Sequence, residues 1–199
     1  RLHHSAPEVI RKSIAADLNR VPYPVCPIVP YTEPVHDRAV LELFRGCARG
    51  CRFCQAGIIY RPVRRRQREE VIGLARKIVE STGYEELSLA SLSSTDYPDI
   101  DLLIRQLQQE LPEGGVKFTL PSLRADSFSV KLSELVRQGR HGSLTFAPEV
   151  ATDCLRRVIK KDISEQELYQ AIGEAIEMGW QKFKLYFMIG LPFEQEKDV

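Results

Sequence analysis

From Ala39 onward, short apolar runs alternate with amphipathic stretches, and this alternation limits the chain to few folds. The runs at 39–44, 86–90, 116–120, 143–146 and 182–189 read as strands. The stretches at 69–81, 100–111, 130–138, 154–159 and 165–178 read as helices. The run at 39–44 is mostly apolar, as in a strand buried on both faces of a parallel sheet. Strands that alternate with helices form repeated βα units, so the fold class is α/β with parallel strands. Polar residues gather after successive strands: Ser93, Ser94 and Asp96, then Ser122 and Arg124, then Glu149, then the stretch from Gly190 to Glu194. In α/β barrels the site lies at the C-terminal ends of the strands. A partial (βα) TIM-like barrel is therefore expected over an open doubly wound sheet.

The region before Ala39 differs. Residues 7–19 place Val9, Ile10, Ile14, Ala15 and Leu18 near one helical face, which predicts a helix. Residues 21–30 carry proline too often for a helix and read as an extended connector. The expected division is 1–38 as helix and connector and 39–199 as the core domain. The chain opens on Arg1 and stops at Val199 after a fifth strand. It reads as an excised piece of a longer protein, cut after strand five. Such a piece is expected to be inactive or to expose an apolar edge.

Residues 45–54 read Arg-Gly-Cys-Ala-Arg-Gly-Cys-Arg-Phe-Cys. Cys47, Cys51 and Cys54 stand in a C-x3-C-x2-C spacing that brings three sulfurs toward one centre. Iron–sulfur clusters are normally held by four thiolates. With three, one iron stays open to an outside ligand, which suits chemistry at the cluster. The rival reading is a zinc knuckle completed by His36 or a distant cysteine. Structural zinc prefers closed tetrahedral sets, often from two cysteine pairs, and no second pair is present.

Composition adds boundaries. The five cysteines are odd in number and three are bunched, so no disulfide framework is indicated. A reducing, cytoplasmic setting fits. No apolar run is long enough for a membrane span, and no membrane partner is expected. The net charge of +1 does not decide for or against nucleic acid.

The loop resembles the CxxxCxxC signature of the radical S-adenosylmethionine (radical SAM) enzymes, with Phe53 at the aromatic position before the last cysteine. The resemblance runs from Ala39 to the C-terminus. It is nearest in pattern to a bacterial group in which this domain follows a cobalamin-binding domain. The stretches 35–47, 55–64 and 183–192 carry that likeness, and the methylthiotransferases are more distant. The resemblance implies a [4Fe–4S] cluster on Cys47, Cys51 and Cys54, with S-adenosylmethionine chelating the fourth iron. Reductive cleavage would give methionine and a 5′-deoxyadenosyl radical that abstracts hydrogen from substrate. Methyl or methylthio transfer, or rearrangement, would follow, with cobalamin supplied by an upstream domain. An external one-electron donor such as flavodoxin or ferredoxin is implied; the sequence does not identify the substrate, for which RNA and a small molecule are both open.

Carried over by position, Phe53 lies near the adenine. Ser93 and Ser94 stand where many members have a Gly-Gly-Glu turn for the methionyl amine, a motif absent here. Ser122 and Arg124 face the methionyl carboxylate, and Glu149 accepts from the ribose hydroxyls. Gly190 opens a glycine motif whose backbone approaches the adenine. No catalytic residue is assigned, and none of the four histidines is chosen. Read without the resemblance, Glu149 complements a helix dipole, Arg124 is an ordinary ion-pairing arginine, and the basic run 61–68 is a solvated, partly salt-bridged segment. Cys26 is an unpaired small residue. Cys154, beside Leu155 and Ile159, is expected in the core. The competing function is an iron–sulfur redox or RNA-docking module without radical chemistry.

Overall fold

The computed structural model describes residues 7–32, 34–111, 115–127, Leu132, Leu135 and 143–199. In chain order the elements are β1 (Ala39–Glu42), β2 (Phe44–Arg45), α1 (Ala56–Ile59), β3 (Arg64–Arg65), α2 (Arg68–Thr82), β4 (Glu86–Ala90), α3 (Ile100–Glu110), β5 (Lys117–Thr119), β6 (Leu144–Glu149), α4 (Asp153–Ile159), α5 (Glu165–Glu177) and β7 (Phe183–Phe187).

β1, β4 and β5 form a parallel sheet in that order, β6 and β7 pair in parallel, and β2 and β3 form a short antiparallel pair. One face of the first sheet presents Leu41, Leu87, Leu89 and Phe118 to α2 and α3, whose Leu74, Ile78, Leu103 and Leu107 close the core. α2 stops at Gly83, whose left-handed φ of 70° lets its N–H reach Val79 O at 2.8 Å. Leu87 is fully buried at the centre of this sheet. Leu87→Ala should cost about 2–5 kcal/mol of stability through lost burial and a residual cavity. A denaturant midpoint that falls with an unchanged slope would confirm it.

The second sheet has its own core. Leu144 and Phe146 pack with Ile163, Ala171 and Ala175 under α5. That helix starts on a capping box between Ser164 and Glu167. The expected helix at 130–138 lies almost wholly outside the described residues, although Leu132 and Leu135 are buried against the first core. Tyr186 and Phe187 of β7 and Ile189 just after it are exposed. No described helix is long and apolar enough to cross a membrane.

Two expectations need correction. The strand expected at 39–44 divides at Leu43. The Leu43 N–H donates to Ala90 O at 2.9 Å, while its carbonyl accepts from Arg66 N at 2.9 Å. One residue thus belongs to two ladders, and Phe44–Arg45 turns away to pair with Arg64–Arg65.

The helix expected at 7–19 is not formed either. Only Leu18–Arg20 makes a 3₁₀ turn, capped by Asp17. Arginine side chains take up carbonyls along this segment: Arg64 Nη1 donates to Ala15 O at 3.4 Å and Arg66 Nη1 to Leu18 O at 2.6 Å. Further on, Tyr23 stands in for a strand on the open edge of β1. Its hydroxyl donates to Val40 O at 2.9 Å and accepts from Glu42 N at 3.1 Å. Its ring lies 5.0 Å beneath the Arg66 guanidinium. Arg64 and Arg66 are buried, so the basic run 61–68 is partly a clamp on the N-terminal strap rather than a solvated segment.

Candidate functional site

The cysteine loop leaves β2 through Gly46, which has φ +89°. A Cβ here would lie 2.6 Å from Tyr60 O and 2.7 Å from Pro62 O, so the backbone approach requires glycine. Cys47, Cys51 and Cys54 are free and half-buried. Arg61 holds the inner side of the loop, donating to Arg49 O at 2.9 Å and Cys47 O at 3.4 Å. The outer side rests on the C-terminal end of α4. There the Arg52 N–H reaches Ile159 O at 2.8 Å and its guanidinium donates to Val158 O. These bonds satisfy carbonyls that a helix end would otherwise leave open. Lys160 follows in the left-handed region at φ 54°, and its ammonium packs against Gly50.

Burial pushes the Cys51 thiol up. Lys161 and Arg124 oppose that by favouring the thiolate, while Cys54 and Cys47 add to it. The three sulfurs are therefore within electrostatic reach of one another, beside two cations. Among the described residues, no three His, Cys, Asp or Glu side chains gather as ligands of a metal ion. A four-iron cluster takes one thiolate per iron corner, so its sulfurs stand further apart than those around one ion. Three soft donors flanked by cations fit such an anionic cluster. His36 does not turn to the loop. Its Nδ1 lies 2.8 Å from Arg38 Nη2, and Arg38 also binds Glu86.

Arg49, between the first two cysteines, reaches two strand-end loops. It grips Asp96, after β4, through both Nη2 and Nε, and Asp126, after β5, through Nη1 at 3.3 Å. Asp126 in turn receives Arg124 through Nε and Nη2, each at 2.9 Å. Arg124 is buried and also donates to Asp162 O at 3.3 Å. Burial acts to raise the Asp96 carboxyl, but hydrogen bonding from Arg49 and Ser93 and the charges of Arg49 and Arg124 together outweigh it and hold the carboxyl below the usual range. A carboxyl with a lowered folded value stabilises the fold fully above its unfolded value, and that gain is lost as pH falls through the folded one. Asp96→Asn should therefore be less stable than the parent near neutrality. The gap should close as pH drops below about 4. Paired denaturation curves across that range would show it.

Glu149 ends β6 with φ +72°, and its Oε1 accepts from Lys161 Nζ at 3.3 Å. The charge of the same lysine also favours the Cys51 thiolate, so glutamate and cysteine loop share one cation. Phe53 is partly exposed on that loop. Ser93 and Ser94 are buried. Ser94 Oγ bonds with Leu89 O and Ser91, and its N–H donates to Ser122 O at 3.1 Å, which joins the ends of β4 and β5. Gly190 adopts φ +88° after β7, and its N–H donates to the Glu194 carboxylate. Cys154 is exposed, not in the core as expected: Leu155, Arg156 and Ile159 form the buried face of α4. The sequence reading missed Arg49, Asp126 and the Lys160–Lys161 pair. An arginine held inside the cysteine spacing was the available signal.

A model of the radical SAM superfamily matches residues 41–199. The chain belongs to this superfamily. It is 39% identical over 160 residues to an uncharacterized protein of Methanocaldococcus jannaschii, a match covering 80% of this chain and 34% of that protein. Among solved structures it resembles the radical S-adenosylmethionine methyltransferase TsrM from Kitasatospora setae. That likeness has a TM-score of 0.64 at 12% identity, over 81% of this chain and 32% of that one. The cobalamin-dependent S-adenosylmethionine radical enzyme OxsB aligns with a TM-score of 0.59 at 17% identity, over 75% and 23%. Coproporphyrinogen III oxidase of Escherichia coli aligns with a TM-score of 0.56 at 15% identity, over 81% and 39%. The chain thus spans about a third of the length of the relatives it matches. The structural likenesses establish the partial TIM-barrel fold of radical SAM proteins, and the expected α/β class with parallel strands holds.

Proposed function

We propose that this chain is the core of a radical SAM enzyme that reductively cleaves S-adenosylmethionine. The observation that carries the reading is the meeting of three half-buried thiols with Lys161 and Arg124 beside Cys51, and of Glu149 with Lys161. Cys47, Cys51 and Cys54 would hold a [4Fe–4S] cluster. When bound, the cluster supplies one electron to the sulfonium, which releases methionine and a 5′-deoxyadenosyl radical for hydrogen abstraction. Arg124 and Lys161, paired with Asp126 and Glu149 in this structure, would turn guanidinium and ammonium donors to the methionyl carboxylate. Glu149, half-buried at the strand end, would accept from ribose hydroxyls, and Phe53 would lie against the adenine. The Gly46 turn and the Arg61 bonds hold the thiols in place.

Methyl or methylthio transfer, or rearrangement, would follow hydrogen abstraction. Cobalamin as a second cofactor draws support from the likeness to OxsB, a cobalamin-dependent enzyme. The RNA-docking alternative is weakened at one point: Arg64 and Arg66 are buried, each with its Nη1 on a carbonyl of the N-terminal strap, so neither side chain is exposed to a phosphate backbone. The test is an anaerobic assay of the reconstituted, reduced full-length protein for 5′-deoxyadenosine and methionine. Their formation in amounts dependent on reductant supports the proposal. A reduced cluster that leaves S-adenosylmethionine intact supports the module instead.

A further inference from the structure

We infer that the N-terminal strap is a working part of the cluster site, because Arg64 and Lys12 fix the turn on which the cysteine loop is seated. The inference rests on the proposed function and makes both side chains positioning residues for the cluster. The seat is the row of backbone carbonyls at 59–62. Tyr60 O and Pro62 O are the two atoms that leave no room for a side chain at Gly46, the residue before Cys47. From the same turn, Arg61 reaches back to Cys47 O and Arg49 O. Carbonyls packed in a row against another segment need donors to hold them there.

Two cations supply all four. Arg64 Nη2 donates to Tyr60 O at 3.1 Å and its Nε to Pro62 O at 3.0 Å. Lys12 Nζ donates to Ile59 O and, at 2.8 Å, to Arg61 O. Arg64 gives its remaining nitrogen, Nη1, to Ala15 O of the strap, so one guanidinium ties strap and seat together. Arg64 is buried and forms no ion pair among the described residues. Carbonyl dipoles, not a carboxylate, therefore offset its desolvated charge. The carbonyls at 60 and 62 cannot shift without leaving that charge unsatisfied, which makes the seat stiff. Lys12, Arg64, Tyr60 and Gly46 line one cavity of about 590 Å³, so strap, clamp, seat and loop entrance meet in one place. Removing the donors frees the seat, and Gly46 and Cys47 move with it. The effect falls on thiol geometry, hence on how firmly the cluster is held and on its spectrum.

The test uses the full-length protein, reconstituted anaerobically, with bathophenanthroline disulfonate as the iron-chelating probe. Arg64→Met should speed iron loss about tenfold, because charge-assisted bonds are lost, and should move the g-values of the reduced cluster. Arg64→Lys keeps the charge but not the fork that spans three carbonyls, so it should resemble Arg64→Met. Lys12 is exposed, so Lys12→Met leaves the core intact and decides the matter if Arg64→Met does not fold. It should speed iron loss about threefold, and Lys12→Arg, which still carries donors for both carbonyls, should restore the parent rate. Leu87→Ala weakens the first sheet without touching the seat, and Arg20→Met alters an exposed strap side chain. Both, while folded, should keep the parent's rate and g-values. Parent-like rates and g-values in Arg64→Met and Lys12→Met would overturn the inference and leave the proposed function intact. So would full recovery in Arg64→Lys, which would make the effect one of charge, or equal iron loss in Leu87→Ala, which would make it one of general stability. A parent that forms no cluster would overturn both.

Discussion

Gly46→Ala should abolish stable iron loading while leaving the two parallel sheets folded. The left-handed φ of +89° already costs a non-glycine residue on the order of 1–2 kcal/mol. The larger effect is steric. The added methyl would sit 2.6 and 2.7 Å from two backbone carbonyl oxygens, Tyr60 O and Pro62 O, which cannot swing aside as a side chain can. Either the Gly46 turn or the segment at 60–62 must move, and Cys47 follows Gly46 directly. Arg61, in that same segment, holds Cys47 O and Arg49 O, so the displacement would spread through the loop. After reconstitution, bound iron and sulfide should fall to a small fraction of the parent's, with the far-ultraviolet circular dichroism retained. Full loading in the alanine variant would show that the loop tolerates the shift.

Cys51→Ala should have the other large effect. Cys51 is the thiol whose ionised form the charges of Lys161 and Arg124 favour. Its loss would leave two ligands for the cluster and remove the anion those cations oppose. Iron loading and any response to S-adenosylmethionine should both disappear. Cys154→Ala and Cys26→Ala, at exposed thiols outside the loop, serve as matched controls. They should load iron as the parent does. Loss of the cluster in a control, or its survival in Cys51→Ala, would mean that the ligand set is assigned wrongly.

The parts of the fold that were readable from sequence are those decided by local pattern. The strand Glu86–Ala90 forms as expected, and the helix expected at 100–111 forms as Ile100–Glu110, because their apolar spacing matches the face they bury. What escaped depends on partners distant in the chain. Leu43 looks like the middle of one strand, yet its N–H and carbonyl bond to segments 47 and 23 residues away. Residues 7–19 show a helical stripe, but Val9 and Ile10 stay exposed while arginines more than 45 positions later capture the carbonyls of Ala15 and Leu18. Cys154 sits next to apolar neighbours, but one face of a two-turn helix holds few residues, and Leu155, Arg156 and Ile159 occupy it.

The site shows the same division. The cysteine spacing marks the loop without any tertiary information. Arg124 was visible as a cation after a strand, but its pairing with Asp126, and through it with Arg49, needed the ends of β4 and β5 brought together. Lys161 looked like a residue between two helices. Only the fold shows it bonded to Glu149, with its charge acting on Cys51.

The most direct measurement is electron paramagnetic resonance of the reduced, anaerobically reconstituted full-length protein, with and without S-adenosylmethionine. A [4Fe–4S]⁺ signal whose g-values move when S-adenosylmethionine is added is the expected result, because three cysteines leave one iron free to bind it. A four-iron signal that S-adenosylmethionine does not change would mean a closed cluster, and would contradict the account.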